Sequence, residues 1–402
     1  MRNLLLYCYF RYVKVVCIPK HYCNFVIQFN IMFLKPDAWG FPANTRPWVI
    51  AGPCGAESEE QMLETALGLK EQGVHVLRAG VWKPRTRPGS FEGMGEQALT
   101  WVKQASVVSG LPVTIEVASP KHVELALKAG IDFLWLGART TVNPFLVQEI
   151  ADSLRGVDIP VMIKNPVNPD LELWIGAIER FQRTGNNKIA AIHRGFSSYE
   201  NQMYRNKPNW EIPLELRRRL PGITLFCDPS HICGNTFMLE NVAQFALDLQ
   251  YDGLMIEAHR NPKEAMSDAS QQLTPVELGA LLLTLQARNP SINDPFELSR
   301  LEDLRDQIDE IDGELLSLMA QRMKVARTIG KYKFLNNLTI LQPERWEEIV
   351  GSRVKIGSDK QLTKEFILKL FGLIHEESMA HQTTQMIQEK KDKSTNDSSA
   401  SK

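Results

Sequence analysis

Residues 74–95 read VHVLRAGVWKPRTRPGSFEGMG. An apolar run ends at Arg78, and Lys83, Arg85 and Arg87 follow within ten residues, among prolines and ahead of a glycine-rich loop. Like charges this close repel one another unless anions sit among them. A solvated basic loop is the plain alternative. The rest of the chain decides against it, because each further apolar run also ends in a polar or charged residue.

From Trp48 onward those runs alternate with helical patterns. They are 48–53, 75–80, 112–117, 133–138, 160–165, 188–194, 224–229 and 253–258. Helical stretches fall at 59–72, 94–109, 120–129, 143–155, 171–184, 235–250 and 274–287. Ser119-Pro120 and Thr274-Pro275 carry the N-cap and first-turn proline of helix starts, and Glu277 stands at the capping-box position. Eight runs, each followed by a helix or by a segment that can hold one, over about 240 residues predict a (β/α)8 barrel, an α/β fold. An open doubly wound sheet is the alternative, but no single glycine-rich dinucleotide turn is present.

Barrel sites gather at the C-terminal strand ends. In order these ends hold Cys54, Arg78 with Lys83, Glu116, Arg139, Lys164, Arg194, His231 and Glu257, with Asp268 in the loop after the last. Two chemistries separate. Cys54, His231, Glu257 and Asp268 mix a thiol, an imidazole and two carboxylates, a set suited to one divalent Mn, Fe, Co or Zn rather than to a closed structural zinc site. Arg78, Lys83, Arg139, Lys164 and Arg194 suit phosphate and carboxylate. Cys227 and Cys233 flank His231, as packing residues or as oxidation partners of Cys54.

Whole-chain properties narrow the function. The 402 residues allow two domains, and a net charge of −1 gives no support for nucleic-acid or membrane-surface binding. Six cysteines make no disulfide framework, and no apolar run is long enough to span a bilayer. A cytoplasmic enzyme is expected. Residues 1–31 hold three of the cysteines (Cys8, Cys17 and Cys23) and read as an extension outside the fold, with Met32 as the candidate start.

The motifs GPCGAES (52–58), RAGVWKPRT (78–86), GAR (137–139), HRG (193–195), DPSH (228–231) and IEAH with Asp268 resemble 3-deoxy-D-arabino-heptulosonate 7-phosphate (DAHP) synthase over about 36–290. Related 3-deoxy-octulosonate 8-phosphate synthases carry Lys-Ala-Asn-Arg where this chain has KPRT. Lys164-Asn165-Pro166 departs from the relatives' Lys-Arg-Gly. The resemblance implies condensation of phosphoenolpyruvate with erythrose 4-phosphate and loss of inorganic phosphate. Arg78, Lys83, Arg139, Lys164 and Arg194 would hold phosphoenolpyruvate. Lys83, Pro84, Arg85 and Thr86 would line the erythrose phosphate site, and Glu116 would position the added water. The metal would activate the aldehyde.

After 288–297, which reads as a linker, a helical pattern runs from 298 to 334 with apolar residues at helical spacing. Gly313 and Gly330 are its weak points. So long a helix needs partner helices, expected from a second chain. Helices are expected at 343–356 and 362–388, and a disordered charged tail from 389. LRDQIDEID (304–312), AQR (320–322), GKYK (330–333), Arg345 and EESMAHQ (376–382) resemble the all-helical class of chorismate mutase over nearly all of 298–386, within a helical domain expected at 298–388. That implies an intertwined homodimer or higher oligomer that turns chorismate into prephenate without metal or cofactor. Its pocket would take Arg305 from one chain, and Arg322, Lys333, Arg345, Ser378 and Gln382 from the other. Lys333 and Gln382 would contact the breaking ether oxygen. Trp346 stands where the family usually has an acidic residue facing the substrate hydroxyl, and Gln342 replaces a further acidic neighbour. A regulatory module that senses chorismate or prephenate is the alternative, and retention of every cation favours the mutase.

Overall fold

In the computed structural model of the chain, residues 33–42, 47–85, 88–199, 203–288, 291 and 294–400 are described. The expectations for residues 1–31 and for Thr86 lie outside them. The chain divides into two compact units at Pro290 and Ser291.

The first unit is a closed barrel of eight parallel strands in sequence order. The strands are β1 (Trp48–Gly52), β2 (Val76–Ala79), β3 (Val113–Val117), β4 (Phe133–Leu136), β5 (Val161–Lys164), β6 (Ile189–His193), β7 (Thr224–Cys227) and β8 (Gly253–Glu257). Between and after them run α1 (Glu59–Glu71), α2 (Glu96–Ser109), α3 (Pro120–Lys128), α4 (Ala138–Thr141), α5 (Pro144–Ser153), α6 (Leu171–Arg183), α7 (Glu211–Arg219), α8 (Pro229–Cys233), α9 (Leu239–Asp248) and α10 (Pro275–Thr284). Helix starts follow local chemistry. Ser58, Ser119, Asn143 and Asp170 each accept a first-turn N–H, and Thr274 with Glu277 forms the expected capping box.

Strand alternation sorts the residues into two apolar clusters. One alternate set, with Leu77, Ile115, Leu134, Ile163, Leu225 and Ile256, packs outward against the helices. The other, with Ile50, Val76, Phe133, Met162, Phe226 and Met255, fills the barrel. Phe41 packs on Trp48, Phe133 and Phe226, from β1, β4 and β7, and so plugs its floor. The same alternation puts Arg78, Glu116, Lys164 and Glu257 on the inner face nearer the C-terminal mouth. It puts Cys227 among the outward packing residues, with Cys233 beside it, which is the packing reading of these two cysteines.

The second unit consists of α11 (Pro295–Leu335), α12 (Pro343–Asp359) and α13 (Lys364–Ala400). α13 packs along α11, and α12 packs on α13. Gly330 makes the first contact possible, because a Cβ there would lie 2.8 Å from the Gln382 Cα. Two boundaries differ from the sequence reading. Asp294 caps α11 through the N–H groups of Phe296 and Glu297, so the helix begins inside the expected linker. α13 continues to Ala400 where a disordered tail from 389 was expected, and Gln385–Glu389 and Gln388–Asp392 bonds one turn apart support that extension. Among the described residues, no helix is long and apolar enough to cross a membrane.

Candidate active sites

At the barrel mouth, Cys54, Glu257 and Asp268 bring one sulfur and two carboxylates within 4.8 Å of one another. The Cys54 thiol donates to Asp268 Oδ2 at 3.1 Å and accepts from Lys83 Nζ at 2.7 Å. Burial, and then Glu257, push the thiol up to about 12. Burial opposes ionisation of Asp268, but Arg205, the Cys54 thiol hydrogen bond, His231 and Lys83 together outweigh it and hold that carboxyl below its usual range. Asp268 itself sits in the left-handed region at φ 51°, where Asp is among the tolerated residues. Arg205 reaches its Oδ1 at 2.9 Å, and Arg85 lies 3.8 Å from its Oδ2.

His231 is outside that mutually close trio but adjoins it. Its Nδ1 lies 2.9 Å from Asp228 Oδ1 and its Nε2 lies 3.7 Å from Glu257 Oε1. With the Nδ1 proton given to Asp228, Nε2 turns a lone pair toward the carboxylates. Burial lowers the imidazole to about 4, which keeps it neutral.

The cations surround this centre. Arg78 Nη2 is 3.0 Å from Glu257 Oε1, and Lys164 donates to Asp228 Oδ2 at 2.7 Å. Both lie over Trp135, at 5.1 and 5.8 Å from its ring centre. Arg78 Nε and Nη1 are buried with no partner among the described residues. Arg194 donates to Asn206 Oδ1 at 2.6 Å, and burial lowers it to about 10, still cationic near neutrality. Arg139 lies in α4, exposed to solvent at the mouth and close enough to Glu116, Arg85 and Arg205 for their charges to act on it. Glu116 lies over Gly137, where a Cβ would lie 1.9 Å from its Oε1, so any larger residue there would displace the carboxylate. Asn165 ties the departing loop to β6, donating to Gly195 O and accepting from Arg194 N. Pro84 follows Lys83 at the rim.

In the helical unit, Arg322 donates to the Ser378 hydroxyl and to Ile374 O. Ser378, Gln382 and Lys333 are buried, and Gln382 Oε1 lacks a partner among the described residues. Lys333 donates to Ile340 O at 2.5 Å. Arg305 and Arg345 are not drawn in. They are exposed and pair with Glu302 and Glu348 of their own helices. Arg305 stands about 25 Å along the helix from Arg322. For Arg345 this differs from the expected same-chain grouping, because Glu348, one turn on, holds it outward.

Residues 41–293, more than half of the chain, match the family described as DAHP synthetase I. The chain belongs to the DAHP synthetase I family. Residues 304–383 match chorismate mutase type II. A phospho-2-dehydro-3-deoxyheptonate aldolase of Thermotoga maritima is 31% identical over 229 residues, which is 56% of this chain and 64% of the relative. A 2-dehydro-3-deoxyphosphooctonate aldolase of Desulfatibacillum aliphaticivorans is 29% identical, over 60% of this chain and 90% of that one. The crystal structure of a DAHP synthase from Thermotoga maritima superposes with a TM-score of 0.53 at 27% identity, covering 65% of this chain and 70% of that one.

In this member of the DAHP synthetase I family, four mouth residues escape a reading by strand ends. Asp228, inside the DPSH motif, partners both His231 and Lys164 and caps α8. Its position directly before a proline was the available signal. Arg205 lies in a loop away from any strand end. Gln271 donates to Glu257 Oε2 at 2.6 Å, and Gln272 accepts the Cys54 N–H at 2.9 Å. A reading led by charge passes over such amides.

Proposed function

We propose that the barrel unit condenses phosphoenolpyruvate with erythrose 4-phosphate to DAHP and inorganic phosphate, and that the helical unit rearranges chorismate to prephenate. The observation that carries the first reading is the pair of orphaned, buried Arg78 nitrogens beside Lys164. Leaving them bare costs free energy that a bound anion recovers. Arg78, Lys83, Lys164, Arg139 and Arg194 hold the carboxylate and phosphate of phosphoenolpyruvate. Pro84, Arg85 and Thr86 serve the second phosphate. Fixed cations offset the repulsion between two anionic substrates before their carbons approach. Glu116, whose carboxylate lies over Gly137, positions the water that adds at carbon 2 of phosphoenolpyruvate.

The donor set fits a divalent ion. A soft thiol lies beside two carboxylates, and Glu257 Oε1 is buried without an aligned hydrogen bond. Cys54, Glu257 and Asp268 would hold it, with His231 Nε2 as fourth ligand and Mn, Fe, Co or Zn as candidates. When bound, such an ion supplies Lewis-acid polarisation of the aldehyde oxygen. The mutase needs neither metal nor cofactor, only a held conformer with Lys333 and Gln382 at the ether oxygen.

An exposed apolar stripe supports a homodimer. Leu304, Ile308, Ile311, Leu315, Leu318, Val325 and Ile329 repeat at heptad spacing on α11, each 42% to 60% exposed. Fully burying such a side chain is worth about 1.5–3 kcal/mol, so covering this stripe adds on the order of 5–10 kcal/mol. A second copy would cover it and bring Arg305 to the partner's Arg322. The whole reading suits a cytoplasmic enzyme with no nucleic-acid or membrane partner.

An eight-carbon synthase is the competing reading, on the strength of the octonate relatives. Phosphate release from phosphoenolpyruvate, with erythrose 4-phosphate set against arabinose 5-phosphate, decides it. Preference for erythrose 4-phosphate is expected, and preference for the pentose would overturn the reading.

A further inference from the structure

Among the described residues, the helical unit holds one buried, unpartnered side-chain polar atom that the assignment above leaves unused. His375 on α13 lies flat against Trp346 on α12, with ring centres 4.2 Å apart and planes 26° apart. Its Nε2 is buried and meets no hydrogen-bond partner among the described residues. His375, Ser378 and Gln382 are three and then four residues apart, so they share one helix face. Ser378 on that face accepts from Arg322, and Gln382 presents a second unpartnered atom. The imidazole therefore extends the cationic cluster by one helical turn and is clamped by an indole.

Its chemistry differs from that of its neighbours. Burial, and then Arg322 and Lys333, hold His375 below its ordinary value, so it is neutral near pH 7. A neutral imidazole does not compete with arginines for carboxylates, yet it donates or accepts one hydrogen bond. Chorismate carries two carboxylates and one ring hydroxyl. The cations account for the former and leave the latter without a partner. The indole N–H of Trp346 can only donate, and one face of its ring is occupied by the stack.

We propose that His375, held in orientation by Trp346, hydrogen-bonds through Nε2 to the ring hydroxyl of a cyclic dicarboxylate substrate and sets the pocket's preference for hydroxylated substrates. This rests on the mutase reading above. The full-length chain is assayed with chorismate and with the analogue that has hydrogen in place of the ring hydroxyl. His375→Phe keeps a ring to stack on Trp346 but removes Nε2; His375→Gln keeps an amide donor and acceptor. His375→Phe is expected to lower kcat/KM for chorismate about 10–100-fold and to leave the analogue within about twofold, while His375→Gln recovers part of the loss. Equal losses on both substrates, or no loss on either, would overturn the proposal and leave the mutase reading standing. Failure of the unaltered chain to turn over chorismate would overturn both. Melting temperature and barrel activity of each variant separate a missing hydrogen bond from a failure to fold.

Discussion

The barrel mouth and the helical cluster use the same kinds of side chain in opposite states of completion. At the mouth, Arg78, Lys164, Asp228 and Glu257 are buried and pair with one another inside one chain. In the helical unit, Arg305 and Arg345 are exposed, and the apolar stripe next to Arg322 is bare. Topology explains the difference. Eight parallel strands close on themselves and aim every C-terminal end at one point. Three helices enclose no such point, and on the homodimer reading proposed above another copy finishes their pocket.

That contrast breaks most visibly if one site is silenced alone. Cys54→Ala is expected to reduce metal-dependent phosphate release to background and to leave chorismate turnover and the circular dichroism spectrum unchanged. Full synthase activity in the metal-stripped variant would remove the thiol from the site. Conversely, Leu315→Glu places a charge in the middle of the stripe. Sedimentation should then show the helical units dissociated, and chorismate turnover should vanish while the barrel reaction persists. A variant that kept the mutase as a monomer would show that the helical pocket is complete in one chain.

A smaller effect separates the two units by pH. His193 in β6 is fully buried between Pro208 O at 2.6 Å and Tyr251 Oη at 3.0 Å, and burial lowers it to about 4. The unfolded chain binds this proton near pH 6.5, and the folded barrel does not until about pH 4. Its contribution is thus fully present above pH 6.5 and is lost as pH falls toward 4, on the order of 3 kcal/mol. Denaturant titrations should show that slope in the barrel transition and a flatter one in His193→Gln. An unchanged slope would assign the acid sensitivity to other groups.

Much of the barrel was legible because one rule, strand alternation, governs both its core and its mouth. The step from Val76 to Arg78, or from Met255 to Glu257, is a step up the same inner face. α7 was not legible. Its N-cap, Trp210, offers no side-chain acceptor, so the capping signal that marks α3 and α10 is missing. Arg205 was missed for a related reason: only the fold of its loop brings it to Asp268. Trp135 reads as an ordinary core residue in FLWL, and its place between Arg78 and Lys164 depends on three strands meeting. In the helical unit the heptad stripe was readable from spacing. The Trp346–His375 stack was not, because it depends on how α12 meets α13.

The central claim is that Cys54, His231, Glu257 and Asp268 share one ion at the mouth. Anomalous scattering from crystals of the manganese-loaded protein tests it most directly. A single peak roughly 2.0–2.5 Å from the Cys54 sulfur, the His231 Nε2 and both carboxylates is predicted. A peak elsewhere, no peak, or a peak on the trio with His231 Nε2 beyond bonding distance would contradict it.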